Sequence, residues 1–274
     1  MKKNNDLLSG LRIFDFTSRL PGPLATSFLA DFGAEVIKFE LRDDPFSEVQ
    51  ETEPIFNDWY RQINSNKTIK KKLDSFDCDI AIVTSRKQYL ELKESLKYKV
   101  LLKLSTSEDN MKMHDINALG QSSAFKNISD QELPFIPIMG YTFSWKIATT
   151  ALSCLYRYSV DKTMQEREVF FSNIAKNTVD KLAPSKPSEL FLHNGKFPCN
   201  SIYSLKDNRT VALAAIEEHL WLKMCEVLEI SLHSHDRFDT TNVVRDLLKT
   251  RFSELTSDEI NKIIKDNNIC LTLI

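Results

Sequence analysis

Leu11–Glu40 reads LRIFDFTSRLPGPLATSFLADFGAEVIKFE, and this stretch decides the fold. Leu11 to Phe16 is a short apolar run of strand type. Pro21-Gly22-Pro23 breaks it and opens a helix, because the fixed φ of proline suits a first helical turn, where its missing N–H is not needed. Leu24, Phe28 and Leu29 then share one helical face. Gly33 is placed to end that helix, and Ala34 to Phe39 is the second strand. A strand–helix–strand unit of this length forces a parallel pair with a right-handed crossover. The open α/β sheet that follows has its ligand crevice at the carboxyl ends of its strands.

Working outward, residues 1 to about 105 repeat this strand–helix alternation. Asp43 to Asn66 reads as polar and irregular. Asp79 to Val83 is a buried strand, Gln88 to Leu96 a helix, and Val100 to Leu104 another strand. Thr142 to Tyr158 carries Ala148, Ala151, Leu152 and Leu155 on one helical face. Glu166 to Phe171 is strand-like, Asn173 to Leu182 helical, and Pro184 to Pro187 a linker. Beyond it, Ser201–Leu205 and Thr210–Ala214 form a hairpin. Glu218–Leu228 and Val243–Leu255 are helices, and Thr256 with Glu259 makes a capping box for a last one. The chain thus divides into a larger α/β domain over 1–183 and a smaller α+β domain over 188–274.

Composition excludes several function classes. The 274 residues carry a net charge of −2, so nothing electrostatic favours nucleic acid or an anionic membrane. No apolar run reaches the ~18 residues of a membrane span. The N-terminus lacks a signal-peptide core, which points to the cytoplasm. Only six glycines occur, with no GxGxxG and no Walker motif, so a standard dinucleotide or P-loop site is not supported. The scattered cysteines Cys78, Cys154, Cys199, Cys225 and Cys270 read as buried reduced thiols. His233 and His235 form an HxH without cysteine partners, which reads as surface loop and not as a metal site.

The opening stretch resembles class III CoA-transferases of the CaiB/BaiF type, and the wording PGP…LADFGAEV is most similar to the α-methylacyl-CoA racemase branch. A second segment, MHDINALGQSSAF from Met113, resembles that branch's GHDINYLALSG. The resemblance implies that His114 is an acid/base beside the substrate α-carbon. It places Asp115 where the transferases carry their acyl-accepting nucleophile. These residue types suit the chemistry: a base of pKa near operating pH for a proton next to a thioester carbonyl, and a carboxylate able to form a mixed anhydride. A third segment, Phe197 to Leu228, resembles a family block in which Glu217 matches the glutamate that in racemases helps hold the catalytic histidine.

CoA contacts are implied at Lys38, at Lys67 and at Arg86, cations suited to the phosphates and adenosine of CoA. No other cofactor is implied, since the CoA thioester is the substrate. The family fold is an open, mainly parallel Rossmann-like sheet domain plus a smaller α+β domain, assembled as an interlocked homodimer.

Three departures accompany the resemblance. Met139 falls where racemases have a second, aspartate base. Tyr141 is a weak substitute, because an ordinary phenol titrates near 10. The glycine-containing loop before the His-Asp pair is shortened to Ser105–Glu108. The chain ends at Cys270–Ile274, where relatives continue with a segment returning to the first domain. The leading expectation is a 2-methylacyl-CoA racemase-like enzyme. The alternatives are a CoA transferase using Asp115 and a homologue that binds CoA thioesters or a protein without turnover.

Overall fold

The structure, a computed structural model, describes residues 6–40, 54–109, 111–120, 137–174, 195, 197–267 and 269–274. It divides into two compact units. Described residues through Ile174 lie in the first and those from Gly195 onward in the second.

The first unit runs β1 (Arg12–Phe16), α1 (Pro21–Asp31), β2 (Glu35–Phe39), α2 (Pro54–Asn64), β3 (Thr68–Lys70), β4 (Ile80–Val83), α3 (Arg86–Ser95), β5 (Val100–Ser105), α4 (Asp115–Gly120), α5 (Ile138–Asp161) and β6 (Gln165–Phe170). All six strands are parallel, in the order β3-β2-β1-β4-β5-β6. The winding direction reverses between β1 and β4, which puts the crevice outside their carboxyl ends. β4 and the start of β5 are wholly apolar and buried, as strands covered on both faces must be.

On one face of the sheet Phe14, Phe16, Phe39, Val83 and Leu92 pack together, with Phe16 stacked on Phe39 at 4.5 Å. The side-chain period of two sends Asp15 to the opposite face, where Thr26 of α1 meets it.

Three elements differ from expectation. α2 lies inside the stretch read as irregular, because its apolar residues were masked by flanking charge. β3 is a three-residue edge strand too short to show alternation. α5 is longer than Thr142–Tyr158. It starts directly after Pro137, which serves as its N-cap, and stops where Lys162 turns left-handed (φ 58). Of the Asn173–Leu182 stretch only Asn173 and Ile174 are described, and they are helical. The Pro184–Pro187 linker lies outside the described residues.

In the second unit β7 (Asn200–Ser204) and β8 (Thr210–Ala214) form the expected antiparallel hairpin, and β9 (Leu271–Leu273) adds to β8. Helices α6 (Glu218–Val227), α7 (Val243–Ser253) and α8 (Ser257–Asp266) complete it. Its core centres on Trp221, Tyr203 and Phe252, with the last two rings stacked at 4.9 Å. The Thr256–Glu259 capping box is present at α8. His233 is not in a plain loop: it caps a 3₁₀ turn over Ser234–Phe238, with Asp236 returning a bond to its N–H at 2.7 Å. Cys78, Cys154, Cys199 and Cys225 are buried free thiols, whereas Cys270 is exposed. Among the described residues, no helix is long and apolar enough to cross a membrane.

Candidate functional site

The switch point is built from the turns that follow β1 and β4. The Ser18 N–H donates to the Thr84 hydroxyl at 3.2 Å, tying the two turns together. After β4, Ser85 caps α3, its hydroxyl accepting from the Gln88 N–H at 3.4 Å. That places Arg86 at the first helical position, exposed. Its charge reaches Glu168, whose carboxylate accepts from Lys103 at 2.7 Å.

After β1, a buried ion cluster forms. Asp15 lies beside Lys38 in the parallel register of β1 and β2. The Lys38 Nζ stands 3.7 Å from one carboxylate oxygen of Asp15, and the Lys67 Nζ stands 3.3 Å from the other. All three side chains are 0% exposed. Burial alone would raise the Asp15 pKa, but Lys38, Lys67 and the hydroxyls of Thr17 and Thr26 outweigh it and hold the carboxyl well below the usual range. Burial also pulls Lys67 down to about 8, against the support of Asp15.

The two lysines expected at CoA are therefore brought together, but at Asp15. The Lys67 Nζ donates to the Pro23 carbonyl at 2.6 Å and to Asn64 Oδ1 at 2.8 Å as well as to Asp15. An ammonium has three N–H donors, so these acceptors use all of them. The Lys38 Nζ donates to the Thr17 carbonyl.

Sequence reasoning passed over Arg19. It adopts φ 63, a left-handed conformation uncommon outside glycine and asparagine. It is exposed and lines a cleft with Leu20, Pro23, Tyr60 and Asn64. A cation between two expected helix and strand ends was the available signal. Asp15 was visible too, as a lone acid inside an apolar strand.

The His-Asp pair sits at the start of α4. The His114 N–H donates to Asn117 Oδ1 at 3.0 Å, and its carbonyl accepts from the Ala118 N–H. The imidazole is exposed and, among the described residues, makes no hydrogen bond. Asp115 is half-buried and points to α5, whose own N-cap, Pro137, offers no side-chain acceptor. Asp115 Oδ1 accepts the Gly140 N–H at 2.6 Å, and the Met139 N–H also contributes. Burial pushes the Asp115 carboxyl up, against the pull of these donors.

Met139 is fully buried in the second position of α5. Tyr141 is exposed, edge-on to Phe28, which in turn stacks on Trp145 at 4.1 Å. Glu217 belongs to the second unit. It is the N-cap of α6 with no side-chain cap bond, and its carbonyl accepts from the Trp221 N–H. Among the described residues, no cluster of histidine, cysteine and acidic side chains is disposed to hold a metal.

The strand order, the switch-point turns and the carboxyl-bearing helix starts define a doubly wound α/β protein with its ligand crevice at β1 and β4. Residues 8–116 match the model of CoA-transferase family III. The chain is similar to the CaiB/baiF CoA-transferase family protein ZK892.4 of Caenorhabditis elegans, at 22% identity over 97% of this chain and 85% of the worm protein. Its fold is similar to the crystal structure of the hypothetical protein Rv3272 from Mycobacterium tuberculosis, with a TM-score of 0.68 at 15% identity, covering 97% of this chain and 83% of that one. It is likewise similar to a CAIB/BAIF family protein from Brucella suis, with a TM-score of 0.66 at 13% identity, covering 98% and 84%. The chain is thus similar to CoA-transferase family III over residues 8–116 and, in fold, to CaiB/BaiF proteins along nearly its whole length.

Proposed function

We propose that the protein acts on CoA thioesters and moves the proton on the carbon α to the thioester carbonyl, in the manner of a 2-methylacyl-CoA racemase. The observation that carries this reading is the adjacency, at the first turn of α4, of an exposed unbonded imidazole and a carboxyl group held at the start of α5. His114 takes the α-proton. The enolate oxygen is met by first-turn N–H groups of α4, which have no acceptor within the helix. Asp115, whose burial favours the protonated form, is the nearby group able to return a proton. Met139 carries no exchangeable proton, so return to the opposite face falls to Asp115 or to solvent. In this reading the exposed Arg86 meets the CoA phosphates, and the buried Lys38 and Lys67 add positive charge beneath the crevice.

The test is NMR of a 2-methylacyl-CoA in deuterated water with the intact protein. Loss of the α-proton signal supports the reading. Binding with no exchange removes it.

A second reading, CoA transfer, is favoured by the hydrogen bonds that fix the Asp115 carboxyl group. A carboxylate oxygen would attack the thioester carbonyl and form an anhydride as CoA leaves as thiolate. Hydroxylamine trapping of an acyl group on Asp115 would decide for it. A third reading, thioester or protein binding without turnover, follows from the loss of an acid at Met139. It is selected if binding occurs with neither exchange nor trapping. The same family reading carries a homodimer, and light scattering that returns the 31.6 kDa monomer mass at micromolar concentration would count against it.

A further inference from the structure

The buried end of β1 holds more charge than packing requires. One carboxylate and two ammonium groups are fully removed from water in a sheet whose neighbouring strands are apolar. Buried ions are costly unless paired and hydrogen-bonded, and apolar side chains of similar size usually make the more stable core. These charges are all directed at one piece of backbone.

Asp15 Oδ1 accepts the Thr17 N–H at 2.9 Å and the Thr17 hydroxyl at 2.6 Å. Its Oδ2 accepts the Thr26 hydroxyl at 2.5 Å, from one turn inside α1. Lys38 holds the Thr17 carbonyl, at the entrance of the turn. Lys67 holds the Pro23 carbonyl, at its exit, and Asn64 of the facing helix. Between these two carbonyls lies Arg19 in its left-handed conformation, with Leu20 beside it. Such a conformation in an arginine persists only where the surroundings over-determine it.

We infer that Asp15 is a positioning residue, which through Lys38 and Lys67 clamps both ends of the Thr17–Pro23 turn and so sets how Arg19 and Leu20 face the ligand cleft. The inference rests on the CoA reading only for what the cleft receives. Lys67, its donors spent inside the protein, acts on a ligand through the turn and through its field. One carboxylate against two ammonium groups leaves the cluster positive, which suits an anionic ligand.

The experiment uses the full chain labelled with ¹⁵N, as wild type, Asp15→Asn, Thr26→Val and Thr26→Ser. Three readouts are taken: side-chain ammonium signals of Lys38 and Lys67, which are seen only when their protons exchange slowly; the heteronuclear NOE of the Arg19 amide; and calorimetric titration with acetyl-CoA. Thr26→Val is expected to weaken the Lys67 ammonium signal, lower the Arg19 NOE and reduce acetyl-CoA affinity by about tenfold, the scale of a hydrogen bond to a charged group. Thr26→Ser, which restores the hydroxyl, is expected to restore all three, which a lost methyl contact alone would not do.

A folded Asp15→Asn or Thr26→Val protein with a rigid Arg19 and unchanged affinity would overturn the inference. Should Asp15→Asn not fold, the Thr26 pair decides. If wild type does not bind acetyl-CoA, the CoA reading falls, and the ammonium and NOE readouts still judge the hold of Asp15 on the turn.

Discussion

Asp115 accepts the backbone N–H of Gly140 at 2.6 Å across 25 residues of chain. The carboxylate at the start of α4 is thereby the cap of α5, a helix that begins after a proline and has no capping side chain of its own. Gly140 accommodates this contact. A Cβ there would stand 3.4 Å from Asp115 Oδ1, an ordinary van der Waals contact, so the helix start and the acid lie closely packed.

Removing the cap should therefore show in stability. Asp115→Ala is expected to cost ~1–2 kcal/mol, the range of a lost N-cap carboxylate, and Asp115→Asn only a few tenths because an acceptor oxygen stays. Urea unfolding followed by circular dichroism measures both. Equal stability of the alanine variant and wild type would separate Asp115 from α5.

His114 should matter to chemistry and not to folding. Its side chain is exposed and unbonded among the described residues, and only its backbone joins the α4 cap. His114→Ala is expected to lower α-proton exchange by about 10²–10⁴-fold, the usual share of a general base. Its unfolding midpoint should stay within about 0.5 kcal/mol of wild type.

Gly22 is required by its neighbour. A Cβ on it would lie 2.3 Å from the Thr17 side chain, whose hydroxyl and N–H both go to Asp15. Gly22→Ala should cost ~1–3 kcal/mol as an overpacked core site, in spite of the better helix propensity of alanine. A variant as stable as wild type would mean that Thr17 gives way freely.

The pH dependence of stability has two arms, and in both stability rises with pH. The folded Asp15 value lies below its ordinary 3.8, so its contribution is present above that pH and is lost as pH falls below it. The folded Lys67 value lies below its ordinary 10.5, at about 8. The unfolded chain then binds more protons between these values, so a cost present below pH 8 is relieved as pH rises toward 10.5. Urea unfolding of wild type against Lys67→Met over pH 7 to 10.5 isolates this arm. The wild type should gain stability relative to the variant across that window.

Much of the first unit was legible because its signals are local. The apolar run to Phe16, the proline-glycine break and Gly33 mark β1, α1 and β2 within 30 residues. α2 escaped because Trp59, Tyr60 and Ile63 sit among charges, and its start is a proline that reads equally as a breaker. The His114-Asp115 pair was legible from its wording, but not that Asp115 caps a helix 25 residues on. The Asp15 cluster was not legible as a unit. It needs the register that sets Asp15 beside Lys38 and a loop that returns Lys67 across 52 residues. Lysines read as solvated ligands of phosphate are, in the fold, internal struts.

The prolines that open α1 carry a consequence for how the crevice can grip a diphosphate. In folds with this strand order, the first helix usually offers its free N–H groups to the pyrophosphate. Here Pro21 and Pro23 have no N–H to give, and the Leu24 N–H is spent on the Leu20 carbonyl, so of residues 21–24 only Gly22 has one left over. A phosphate at this helix start would be met by cations on long, solvated side chains such as Arg19 in place of a ring of amides. Such recognition is ionic in character. Affinity for a phosphorylated ligand should fall steeply between dilute buffer and physiological salt, where the screening length shrinks to about 8 Å.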